Sequence, residues 1–231
     1  MRTHPSHQSE MVSELLFGDL IEDIEKKEDW VHIRSLHDSY EAWIEEKHFI
    51  KFSAEDNKSW NCILTQDLVK LKLNERQVII PFGSYLTEEL AVLHLNENAF
   101  IKSSLHPVDA LEILMKQFLG APYLWGGKTI MGIDCSGLCQ LYGRLVGLQL
   151  PRDTYQQAEV GTEVIFTKIQ SGDLAFFKNI EGRIIHVGIL IDHSNILHSS
   201  GSVRIDFFDE KGILDRETGL YTHIVHHVMS L

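Results

Sequence analysis

The sequence predicts two domains: an all-β domain over residues 11–103 and an α+β domain over residues 107–231. Three observations predict them. Apolar and polar residues alternate in short runs such as Trp30-Val31-His32-Ile33-Arg34, the period of a half-buried strand. From Val108 to Leu119 the apolar positions recur at three- and four-residue steps, the period of a helix. Behind a second helical run, which starts at Cys135, residues 172–178, 184–192, 195–199, 203–208 and 222–228 read as successive strands. One helix layer on an antiparallel sheet is an α+β arrangement.

Residues 1–10 are polar and are expected to be mobile. Residues 14–19 and 20–25 alternate in part, and the alternation is clean from Trp30 to Arg34. The turn His37-Asp38-Ser39 leads into Tyr40-Glu41-Ala42-Trp43-Ile44. Apolar pieces at Val69, Val78-Ile79-Ile80 and Ala91-Val92-Leu93 extend the same all-β unit, with Pro81-Phe82-Gly83-Ser84 as a turn between them. Short strands, an acidic turn and a strand-end Tyr-x-x-Trp resemble a bacterial SH3-type barrel. Ser103-Ser104-Leu105-His106-Pro107 reads as a linker. Gly120 is placed to cap the helix that follows, and the Cys135 helix closes near Gly147. The chain has no internal repeat and no low-complexity segment.

With 231 residues, the chain is long enough for two modest cores. Its net charge of −12 argues against nucleic acid and against anionic membranes as partners. A small solute held in a pocket fits better, because local charge there outweighs the global charge. Cys62, Cys135 and Cys139 form no paired framework, so no dependence on disulfides is expected. The N-terminal residues lack the apolar run of a signal peptide, and no stretch approaches the roughly 20 residues of a membrane span. The expectation is a cytoplasmic protein. A chain whose leader had been removed would read the same.

The chemistry gathers around Tyr123-Leu124-Trp125-Gly126-Gly127-Lys128 and Gly132-Ile133-Asp134-Cys135-Ser136-Gly137. Cys135 stands where a Gly-rich loop gives way to a helix. Unsatisfied N–H groups and the positive end of the dipole favour an anion there. Such a position lowers a thiol pKa from roughly 8.5 toward neutrality. His186 and His198 lie downstream in strand-like runs. Each of the three has a plainer reading, as an inert buried thiol and as strand histidines. Cys139, one helical turn on, reads as packing. A zinc site on Cys135, Cys139 and histidines is a rival, but structural zinc shows tighter paired spacings. No metal and no cofactor is expected.

These motifs, with Pro151-Arg152-Asp153-Thr154, Gly172-Asp173-Leu174 and His186-Val187-Gly188-Ile189, resemble the NlpC/P60 family of cell-wall cysteine peptidases, a papain-like fold. The resemblance covers the chain from about Pro107 onward. It implies a cysteine endopeptidase that hydrolyses γ-D-glutamyl bonds in murein peptides. Cys135 would be the nucleophile, His186 its base in a thiolate–imidazolium pair, and His198 the group that orients His186. Tyr123 and Trp125, otherwise core aromatics, would bind substrate, with Tyr123 near the oxyanion. Asp134, Ser136, Asp153 and Thr154 match pocket-lining positions, though Asp153 and Thr154 also suit a helix start. In two-domain relatives a barrel residue closes the cleft around a free L-alanine amine. Tyr40 is the candidate, ahead of Glu41. The implied substrate is L-Ala-γ-D-Glu-diamino acid, met in wall recycling. An endopeptidase of intact wall, a silent wall-binding module and a related thiol amidase or acyltransferase are the alternatives.

Overall fold

The computed structural model describes residues 1–49, 59–73 and 76–231. The chain divides into two compact units: residues 1–103 with 125–129, and residues 104–124 with 130–231.

The first unit opens with a meander of β1 (Ile21–Lys27), β2 (Trp30–Ser35) and β3 (Glu41–Glu45). In β2 and β3 alternate residues are buried, as the sequence alternation requires. Val31, Ile33 and Ile44 form that buried face. On the wet face Arg34 bonds Glu22 on one neighbouring strand and Glu41 on the other. Residues 1–10, expected to be mobile, are pinned instead. Arg2 and Trp43 exchange backbone hydrogen bonds at 2.8 Å each way, and the Arg2 guanidinium donates to the Ser9 carbonyl.

The rest of this unit comprises β4 (Trp60–Leu64), β5 (Val69–Leu73), β6 (Arg76–Ile80), β7 (Tyr85–Thr87), α1 (Glu88–His94), β8 (Phe100–Ile101) and β9 (Lys128–Thr129). Strands β5 and β6 form a hairpin, and β4 pairs with β7 and β8. Cys62, Leu64, Leu71, Ile80, Leu86 and Ala91 make their common core. Ala91-Val92-Leu93, expected as strand, is helix. The Thr87 side chain accepts the Leu90 N–H as an N-cap, and Glu88 and Glu89 suit the first turn. Only Ala91 of α1 is buried, so the apolar triplet belongs to a short helix with one inward residue rather than to a strand.

The second unit holds α2 (Pro107–Phe118), β10 (Gly132–Ile133), α3 (Cys135–Val146), α4 (Thr154–Gln157), β11 (Thr162–Val164), β12 (Leu174–Lys178), β13 (Ile184–Leu190), β14 (Asn195–Ser200), β15 (Ser202–Asp209), β16 (Gly212–Leu214) and β17 (Tyr221–Ser230). The sheet order is β11-β17-β12-β13-β14-β15-β16, antiparallel throughout. Strand β16 pairs back onto β17, so six strands close on themselves and β11 lies outside the ring. Helix α3 packs on β13, β14 and α2. It starts where the Asp134 carboxylate accepts the Gly137 N–H at 2.7 Å, and ends at Gly147, whose φ of 82° a side chain would resist. This fixes the first residue of α3, Cys135, against the middle of the sheet. The fold is thus mixed α/β, with an SH3-like N-terminal region.

Candidate active site

Cys135 is buried at the N-terminus of α3, with its sulphur 3.9 Å from Thr154 Oγ1. Backbone N–H groups of Val187, next to His186, and of Ser136 also point at the sulphur. Burial pushes the thiol up to about 11, and the Asp134 charge adds to this, while the Val187, Thr154 and Ser136 hydrogen bonds pull the other way. The expected depression of this pKa is therefore corrected. A helix start favours the thiolate, but desolvation outweighs it here.

Asp134 and Ser136 are buried on either side of the cysteine and held by one cation. Arg152 donates to both carboxylate oxygens of Asp134, at 3.1 and 2.5 Å, and to Ser136 Oγ at 2.6 Å. A buried carboxylate needs such a forked partner. The sequence presents Arg152 only as part of a motif. Its role is hidden there because Arg152 and Asp134 are far apart in the chain. Asp153 takes the N-cap position of α4 without a side-chain cap bond, and interacts with the Tyr155 hydroxyl.

His186 sits on β13 and His198 on β14. The register pairs Gly188 with His198, so the two histidines are diagonal neighbours on one face. Gly188 leaves room for this pair, since a Cβ there would lie 2.7 Å from Ile196 Cδ1 and 3.0 Å from His198 Cβ and would press on both. His186 Nε2 and His198 Nδ1 are 2.9 Å apart, and His198 Nε2 lies 3.0 Å from Asp206 Oδ2 on β15. Nothing in the sequence singles out Asp206. It is buried and bonded by Arg204 and by the Arg216 backbone N–H. Burial alone would raise its pKa, yet the hydrogen bonds from His198, Arg216 and Arg204 hold it at about 2.

That carboxylate sets the protons of the chain. An ionised Asp206 only accepts, so a singly protonated His198 ring carries its proton on Nε2 and leaves Nδ1 as a lone pair. His186 Nε2–H then donates to it, which leaves His186 Nδ1 as the basic nitrogen. His223 of β17 stacks on His186, with centroids 4.3 Å apart at 28°. Burial, then His223 and His198, push His186 well below 6.5. His223 itself is pushed down to about 4, chiefly by burial and then by His198. Both rings are neutral near pH 7. His223 is equally silent in the sequence, since one histidine in an alternating strand carries no signal of its own.

Tyr123 is half-exposed, and burial followed by Cys135 and Asp134 pushes its hydroxyl up to about 12. Trp125 and Tyr40 belong to the first unit. There Trp125 Nε1 donates to Glu10 at 2.7 Å, and the Tyr40 backbone N–H donates to Asp38 at 3.1 Å. Among the described residues no group of three or more His, Cys, Asp or Glu is gathered as metal ligands are.

A thiol at a helix start, beside a strand histidine oriented by a second polar residue, defines a site capable of thiol hydrolase chemistry. Residues 120–221 match the NlpC/P60 family, and residues 1–49 match the bacterial dipeptidyl-peptidase SH3 domain. A protein of Escherichia coli named "Probable endopeptidase NlpC" is 38% identical over 107 residues, covering 46% of this chain and 70% of its own. The gamma-D-glutamyl-L-lysine dipeptidyl-peptidase of Bacillus cereus is 26% identical over 240 residues, covering 86% of this chain and 70% of its own. The crystal structure of an NlpC/P60 family protein from Bacillus cereus aligns with a TM-score of 0.79 at 23% identity, covering 95% of this chain and 81% of that one. The chain belongs to the NlpC/P60 family of peptidases and carries a bacterial SH3 domain ahead of its NlpC/P60 domain.

Proposed function

We propose that the protein is a cysteine peptidase that cleaves the γ-D-glutamyl–diamino acid bond of murein peptides with a free N-terminal L-alanine. The observation that carries this reading is the aligned series His186, His198, Asp206, together with a buried Cys135 thiol that takes the backbone N–H of Val187, the residue after His186. His186 Nδ1 takes the Cys135 proton as the sulphur attacks the carbonyl. The neutral pair thereby becomes a thiolate and an imidazolium without net charge entering the site. The Cys135 backbone N–H, free of any partner within the helix, and the Tyr123 hydroxyl serve the oxyanion. The imidazolium then protonates the leaving amine, and water cleaves the thioester with His186 again as base.

The name of the Bacillus cereus relative, a gamma-D-glutamyl-L-lysine dipeptidyl-peptidase, supports this choice of bond. The match of residues 1–49 to a dipeptidyl-peptidase SH3 domain favours short fragments over intact wall, and with them recycling in the cytoplasm. A second reading, an endopeptidase of intact peptidoglycan, draws on the name of the Escherichia coli relative.

Mass spectrometry of L-Ala-γ-D-Glu-L-Lys after incubation tests the proposal, with Cys135→Ala as control. Cleavage between glutamate and lysine is expected, with turnover lost by about 10⁴ or more in the variant. N-acetylation should slow cleavage at least about tenfold, since groups that bind an ammonium are left unpaired. Efficient lysis of sacculi, or equal rates on free and blocked peptides, would favour the second reading.

A further inference from the structure

Three aromatic rings pack around the base, His186. His223 lies nearly parallel to it, with centroids 4.3 Å apart at 28°. His198 meets it edge-on, at 5.2 Å and 81°, and Phe177 lies tilted, at 5.8 Å and 43°. Of the three, His223 alone stacks on a face of the His186 ring. His223 is held in turn by its neighbours. Its Nδ1 is 2.9 Å from Thr222 Oγ1, and Phe177 flanks it at 5.9 Å and 67°.

Sheet closure brings the two histidines together. Strand β12 lies between β13 and β17, so in a flat sheet they would stand two strand spacings apart, roughly 9–10 Å. Phe177 of β12 pairs with His186 on one side and with Val225 on the other, and His223 is two residues before Val225. These four side chains therefore share one face of the sheet. Phe177 and Val225 belong to the core that Phe208 and Ile213 also build, and Ile213 pairs with His223 across β16 and β17. That pairing closes the ring of strands, so the shared face is concave and the side chains on it converge.

The base needs one ring plane for two tasks. Its Nε2–H points at His198 Nδ1, 2.9 Å away, and its Nδ1 receives the thiol proton. Rotation about the Cβ–Cγ bond spoils both, and that torsion is a soft one. A parallel ring at 4.3 Å stands in the way of the turn. His186 also carries a positive charge midway through the reaction, and Asp206 reaches it only through His198. The face of a neutral aromatic ring attracts a cation. We infer that His223 is a positioning residue of the peptidase, whose stacked ring holds the plane of His186 and steadies the imidazolium formed there. This rests on the peptidase reading above and adds a residue that acts only through the base.

The test has two readouts on the full chain carrying His223→Ala, His223→Leu or His223→Phe. The first is kcat and KM on L-Ala-γ-D-Glu-L-Lys, and the second is the downfield proton NMR signal of His186 Nε2–H. Loss of the ring in His223→Ala should lower kcat about ten- to a hundredfold, with KM within about twofold, because the base is misaimed and binding is not. His223→Leu restores bulk without a flat face and should stay within about threefold of the alanine variant. His223→Phe restores a flat, neutral face and should recover kcat to within about threefold of wild type. The Nε2–H signal should be sharp in wild type and in His223→Phe, and broadened in the other two. If the alanine variant does not fold, the leucine and phenylalanine variants still separate bulk from flatness. A kcat within threefold of wild type in His223→Ala, or His223→Leu as active as His223→Phe, would overturn the role of His223 and leave the peptidase reading standing. Should the wild type cleave no such peptide, the peptidase reading falls, and an Nε2–H signal equally sharp in every variant would overturn the positioning as well.

Discussion

One carboxylate, Asp206, decides which nitrogen of His186 is basic, although it lies two side chains away from the thiol. Replacing it with asparagine puts an amide N–H₂ where the carboxylate now receives donors. Turned toward His198, that group reverses the tautomer of His198 and then of His186, so that Nδ1 no longer accepts a proton. Asp206→Asn should therefore lower kcat by about 10²–10⁴ with the fold retained, as a reversed tautomer does in a serine-protease triad. Steady-state kinetics and ring ¹⁵N shifts check it, and a loss under threefold would show that the ordering is unnecessary. His186→Ala should be worse than His198→Ala, and His198→Gln should recover part of the second loss, because the amide still accepts from His186. The buried histidines also set an acid limit. His223 has a folded pKa of about 4 against 6.5 unfolded, so the unfolded chain takes up its proton first. Its contribution is complete above pH 6.5 and is lost as pH falls toward 4, with His186 acting in the same direction. Discounted for partial exposure, His223 is worth about 1–2 kcal/mol. Urea midpoints at pH 7 and 4.5 should show the drop, and His223→Phe should flatten it.

At the scale of elements, the start of α3 is the joint on which the site depends. Asp134 both caps this helix and takes the fork of Arg152, so one buried carboxylate fixes the backbone on either side of Cys135. Arg152→Ala takes the forked cation away from that buried carboxylate and should cost about 3–5 kcal/mol, measured as a fall in stability to denaturant. Arg152→Lys restores a charge but not the fork, and should recover only part. Chain order and local pattern alone expose Cys135 at a helix start, His186 and His198 on strands, and Gly147 as a stop. Two short strands, β11 and β16, are not legible in this way, because three residues carry too little periodicity. Arg152, Asp206 and His223 escape for another reason. Each acts through a partner on a different element, and only the sheet register brings Asp206 diagonal to His198. The direction of the thiol pKa shift is misread from the sequence because a sequence displays the helix start but not the burial.

At the scale of the whole molecule, the linker at Ser103–Pro107 is not the only crossing between the units. The polypeptide leaves the first unit after Ser103, returns to it for Trp125–Thr129, and leaves again. Within that unit the returning segment is well anchored. Lys128 is buried 3.6 Å from Asp38, its backbone N–H donates to Glu14 at 2.7 Å, and the Trp125 indole donates to Glu10. A protease that nicks the linker therefore makes two fragments on a denaturing gel but not two particles. The fragments should co-elute on a native sizing column until denaturant draws the looped segment out. For anyone trimming the protein to its peptidase half, the short fragment would carry a lysine suited to an interior but parted from Asp38 and Glu14. Expression of residues 104–231 alone should give a less soluble product than the full chain.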